Sequence, residues 1–167
     1  EASMRKIQII LSALAIFAMA PALADENNSG FGNLSEDTKE PIMTSSDQMT
    51  VDNELSQAEL IGNVEIVQGD LLLYADYVRI TYSKGQSKID ALFARDNVIL
   101  ISGEDRATAY EADYNLKRGT IVMTGNALVR QGGNTVSADR AEFDIDSGAA
   151  SMSGRVKSVL ITPPEKD

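Results

Sequence analysis

Four carboxylates crowd one short stretch of this chain, Asp139, Glu142, Asp144 and Asp146. Paired carboxylates hydrolyse glycosidic bonds or hold hard cations such as Ca²⁺. The rest of the sequence completes neither chemistry. Histidine and cysteine are both absent, so no imidazole base, thiolate nucleophile or soft metal ligand stands ready to work beside the acids. The acids alternate along a segment and lack the spacing of a calcium loop, which is the pattern of a solvated strand face. Gly30 and Gly32 form a fragment of a nucleotide-binding fingerprint without its preceding strand or following helix. Lys84, Lys88, Arg95, Lys117 and Arg118 could meet phosphates, but they stand in turn segments where charge serves solubility. The expectation is a protein without catalytic residues, metal site or cofactor.

Charge narrows the partners. With 25 acidic and 15 basic residues the chain carries a formal net charge of −10, which argues against nucleic acid as a partner. The same acidity means that a phosphorylated ligand is gripped through its apolar parts rather than its phosphates.

At the N-terminus, Met4, Arg5 and Lys6 precede an apolar run from Ile7 to Ala20, followed by Pro21 and the triplet Ala22-Leu23-Ala24. Charge, apolar core and A-x-A end are the three parts of a secretory signal peptide, with cleavage expected after Ala24. The run falls short of the ~20 residues that cross a bilayer. Glu1, Ala2 and Ser3 lie upstream of that signal. Residues 25–40 are polar and aperiodic and read as a flexible leader ending at Pro41. The remainder is a usual size for one domain, and without cysteines its stability must come from burial and backbone pairing.

From Ile42 onward the chain repeats. Gly69, Gly103 and Gly132 are separated by 34 and then 29 residues, and Ala75, Ala109 and Ala138 show the same two steps, as do Gly85, Gly119 and Gly148. Four copies of the unit, the end ones partial, signal stacked repeats. Within a unit, Val, Ile, Thr, Tyr and Phe alternate with polar residues, and glycines interrupt too often for helices of ordinary length, so the elements are short strands.

Alternation gives each strand one wet and one dry face. Parity places Val64, Ile66, Leu71, Leu73, Val78, Ile80 and Tyr82 on the dry face. In the next units it places Val98, Leu100, Ala112, Tyr114 and Leu116, then Ile121, Met123, Val129, Val136, Ala141 and Phe143. Asp76, Arg79, Asp113, Arg140 and Glu142 point to water.

These residues resemble the OstA-like family of lipopolysaccharide-export proteins, in particular its periplasmic bridge component A, over residues 41–162. The marks are Pro41-Ile42 with Ser46-Asp47-Gln48, Gly62-Asn63-Val64 with Gln68-Gly69, Ala75-Asp76, Gly125-Asn126-Ala127 and Ala138-Asp139. Three positions depart from the pattern: Asp96 stands for Gly, Tyr110 for Asp, and Arg155 for Asn. The resemblance implies an all-β, twisted antiparallel β-jellyroll, open at both ends, that accepts the acyl chains of lipopolysaccharide. On that reading the inward face binds lipid through Ile42, Val64, Ile66, Leu71, Leu73, Ile80, Tyr82, Val98, Leu100, Tyr114, Leu116, Met123, Val129 and Phe143. Tyr82, Tyr114 and Phe143 offer the largest surfaces.

The implied location is the periplasm and the implied role is a bridge between inner and outer membranes. Its partners would be the inner-membrane component C, the N-terminal domain of the outer-membrane component D, and further copies joined head to tail. The first strand (Ile42 to Val51) and the last (Arg155 to Thr162) would supply the joining edges, with Pro163 and Pro164 stopping further pairing. Two other readings compete: a membrane-tethered relative of component C, and a structural β-scaffold that holds no lipid.

Overall fold

The computed structural model describes residue 31 and residues 40–85 and 88–161. The expected signal peptide, all of the leader but Phe31 and Glu40, and the C-terminal tail lie outside the described residues.

Ten strands account for most of the described residues: β1 (Met43–Ser45), β2 (Gln48–Asp52), β3 (Gln57–Gln68), β4 (Leu71–Tyr82), β5 (Ile89–Ser102), β6 (Asp105–Asn115), β7 (Thr120–Gln131), β8 (Asn134–Asp144), β9 (Ala150–Ser153) and β10 (Lys157–Val159). They form one sheet in the order β1-β3-β4-β5-β6-β7-β8-β10, with β2 also on β3 and β9 also on β8. Each strand pairs antiparallel with its neighbour, from Ile66 opposite Leu73 through to Ile121 opposite Phe143. Elements consecutive in sequence are neighbours in space because every long strand returns through a tight turn to lie beside its predecessor. The repeat glycines Gly69, Gly103 and Gly132, and Gly85, Gly119 and Gly148, all stand at positive φ. There the missing Cβ lets the chain reverse at little cost.

The strands are longer than the sequence suggests. Glycines are expected to separate short strands, yet Gly62-Asn63 and Gly125-Asn126 each lie in the middle of a 12-residue strand. The reason is that both residues of each pair take positive φ, as do Asp96-Asn97 and Gly154-Arg155. Two such residues in succession make a bulge, which bends the strand and leaves the chain running on in the same direction. The register shifts at this level across the sheet, between Ile61 and Val64 and again between Arg95 and Val98. A crease therefore crosses all the long strands.

Side chains lock the crease from outside. Asn63 donates to Asp47 (2.8 Å), Asn97 to Asp76 (2.7 Å), and Arg155 to Asp139 (2.6 Å). The three departures keep this geometry. Asp96 accepts φ 63 and Arg155 φ 45, while the Tyr110 hydroxyl bonds Asp96, which together with that carboxylate's charge holds the phenol above its usual range.

The expected first strand is split at the crease into β1 and β2, whereas the expected last strand, Arg155 to Thr162, is only the short β10, with β9 preceding it on the other side of the crease. β1 and β2 flank Ser46-Asp47, and β9 and β10 flank Gly154-Arg155. The Asp47 amide donates to Gly62 and the Asp139 amide to Gly154, 2.9 and 2.8 Å. Among the described residues no strand pairing joins the β1/β2 edge to the β9/β10 edge, so the jellyroll is open.

Candidate functional site

One face of the bent sheet is dry. Its two arms meet across the fold, so Leu73 and Leu100 from one side of the crease line the same cavity as Leu92, Ala112 and Tyr114 from the other. Eleven of the fourteen residues expected on the inner face are buried: Val64, Ile66, Leu71, Leu73, Ile80, Val98, Leu100, Tyr114, Met123, Val129 and Phe143. The other three, Ile42, Tyr82 and Leu116, are half-buried and pack against that core. Each such side chain, fully buried, contributes about 1.5–3 kcal/mol.

Interior parity passes the crease differently on alternate strands. β3, β5 and β7 carry the extra bulge residue and keep the same parity through it, as in Leu60 and Val64. β4, β6 and β8 switch, as in Ala75 to Val78 and Ala138 to Ala141.

The cavity between the arms measures about 20 Å³ and its lining is almost wholly apolar, with Gln68 at one end. That is room for a water molecule or so, so the resting interior is packed. A long apolar ligand can enter only if the arms part or a side chain leaves.

Gln68 is held by a 3.1 Å bond to the Glu40 carbonyl, where the chain enters the sheet. Burial, and behind it the negative charge of Asp146, pushes the Tyr114 phenol up to about 12. Tyr114 therefore presents a neutral ring and hydroxyl at any physiological pH.

The acidic cluster is dispersed into structural work. Asp139 grips Arg155, Glu142 pairs with Arg140 at 2.7 Å, and Asp144 accepts from both the Ser147 amide and hydroxyl. The last bonds hold Asp144 below the usual carboxylate range. No group of three metal-ligating side chains occurs among the described residues. Of the basic residues expected in turns, Lys117 pairs with Asp90 at 2.7 Å, while Arg95 lies within β5, pairs with Asp96 and sits over the Tyr77 ring. No helix among the described residues is long and apolar enough to cross a membrane.

Sequence reasoning missed Leu60, Leu92 and Phe31 as interior groups. The parity of Leu92 with Val98 could have found the second. Phe31 carries no such signal: it is 2% exposed, and its ring tilts onto Phe143 with centroids 4.7 Å apart.

An open, creased antiparallel sheet with one continuous apolar face defines the class as an open β-jellyroll. Comparison with known proteins gives that class its family. The family described as LptA/(LptD N-terminal domain) LPS transport protein matches residues 44–149, and the chain belongs to it.

Among relatives, an uncharacterized protein of Rhizobium meliloti (strain 1021) is 30% identical over 150 residues, covering 83% of this chain and 81% of that protein. The lipopolysaccharide export system protein LptA of Escherichia coli (strain K12) is 27% identical over 147 residues, covering 82% and 72%. The fold matches LptH of Pseudomonas aeruginosa, described as the LptA-homologous periplasmic component of the lipopolysaccharide transport device. That match has a TM-score of 0.70 at 17% identity and covers 75% of this chain and 99% of LptH.

Proposed function

We propose that this protein binds the acyl chains of lipopolysaccharide in the periplasm and carries that lipid between the inner and outer membranes. The observation that carries the reading is the continuous dry face running through every long strand of an open sheet, in a chain of the lipopolysaccharide-transport family. Each methylene taken from water is worth ~0.8 kcal/mol, so a chain of a dozen carbons gains roughly 10 kcal/mol before costs. Aliphatic walls provide this without directional bonds, so the lipid can slide while its sugars and phosphates stay in water.

The same reading makes residues 1–24 a cleaved signal peptide, residues 25–40 a leader, residues 41–162 the working domain and residues 163–167 a tail. It also makes the protein a passive conduit and not an enzyme, which the engagement of its carboxylates in turns and ion pairs supports. Its neighbours would be component C, the N-terminal domain of component D and other copies of itself, joined through the sheet edges.

The test is equilibrium binding of the purified protein to lipopolysaccharide and to its deacylated form. Saturable binding to the intact lipid that disappears on deacylation is expected. Binding to neither would move the assignment to the lipid-free scaffold.

A further inference from the structure

Phe31 is out of place in this core. Among the described residues every other buried apolar side chain lies in a strand, except Ile145, whose amide donates to the Gly119 carbonyl at 2.8 Å. Phe31 precedes β1 by a dozen residues and belongs to none of the ten strands. In the sequence it stands between Gly30 and Gly32 and is the sole aromatic residue between positions 25 and 40. Even so, its ring is buried with the rest of the interior cluster and rests on Phe143.

We infer that the Phe31 side chain is a resident occupant of the lipid groove, holding it filled at rest and giving way when an acyl chain enters. The inference rests on the lipid-binding reading. The cavity between the arms holds only about 20 Å³, so room for an acyl chain must be made there. Withdrawing any strand residue would break ladder hydrogen bonds, whereas Phe31 can leave without unzipping the sheet. A long acyl chain also buries more apolar area than one phenyl ring and so outcompetes it. Until then, Phe143 and its neighbours are kept from water.

The chain contains no tryptophan, so Phe31→Trp in the exported protein gives a single emitter at the seat. Without lipid its emission should be blue-shifted and shielded from acrylamide. Saturating lipopolysaccharide should move it to the red and open it to the quencher, while deacylated lipopolysaccharide should leave it unchanged. Phe31→Ser empties the seat and should bind intact lipopolysaccharide roughly 10-fold more tightly, equivalent to ~1.4 kcal/mol.

Emission that stays blue and shielded while lipid binds overturns the inference and leaves the conduit standing, as does equal or weaker binding by a folded Phe31→Ser. If that variant does not fold, the tryptophan readout decides alone. Absence of binding by the native protein and by both variants removes the conduit, and the displacement with it.

Discussion

Tyr114 and Glu142 show how finely position on a strand separates inside from outside. Tyr114 on β6 lines the cavity between the two arms. Glu142, on β8, turns its carboxylate outward to Arg140, with 44% of its side chain exposed. Strand residues alternate between faces, so even an adjacent position on the same strand cannot be shared between lipid and water. A photo-crosslinking residue at position 114 is therefore expected to capture lipopolysaccharide in cells, and the same residue at position 142 is not. Capture at both sites to a similar extent would show that lipid does not follow the dry face. Tyr114 suits this use because its phenol stays neutral when buried, so no charge has to be desolvated as an acyl chain arrives.

At the level of the strand, the crease is the device that turns a flat meander into a folded one, and glycine is needed there for two separate reasons. Gly125 has φ +82, and a Cβ added to it would lie 2.7 Å from the Tyr110 Cβ. Gly103, at the tip of the β5–β6 turn, has φ +57 and nothing within 4 Å. Positive φ alone costs a substituted residue about 1–2 kcal/mol. Gly103→Ala is thus expected to destabilise by ~1 kcal/mol, and Gly125→Ala by more than twice that because the clash adds to the torsional cost. Urea unfolding midpoints measure both, and equal losses would show that close approach at the crease is not a constraint.

The same contrast explains what was legible beforehand. Turn glycines, strand content and the inward set followed from repeat spacing and parity, while the open jellyroll came only from the family resemblance. The mid-strand character of Gly62-Asn63 did not, because a pair of left-handed residues looks alike in a hairpin turn and in a bulge. What distinguishes them is the cross-strand partner, here Asp47, contributed by a different element. Phe31 was illegible for a related reason: burial of a lone aromatic in a polar, aperiodic stretch depends on a surface built by residues more than a hundred positions away.

For the whole molecule, openness is the property that matters, because a sheet that does not close leaves backbone groups unpaired at both edges and invites another sheet to add to them. Both edges are marked by exposed apolar side chains: Met49 and Val51 on β2, and Val159 with Leu160 and Ile161 at β10. Among the described residues no helix covers either edge, and both are split at the crease, so the bend of one copy can continue into the next. Under the proposed function, head-to-tail joining would line up the dry faces into one longer groove between the two membranes. Cross-strand pairs contribute roughly 0.2–1 kcal/mol each, and like charges placed opposite one another are destabilising. The double variant Val51→Lys, Val159→Lys should therefore associate several-fold more weakly than the native protein in light scattering. The charge-matched Val51→Glu, Val159→Lys should recover association without a change in thermal stability. If the two double variants show the same mass at every concentration, these edges do not meet and the bridge must be built through another surface.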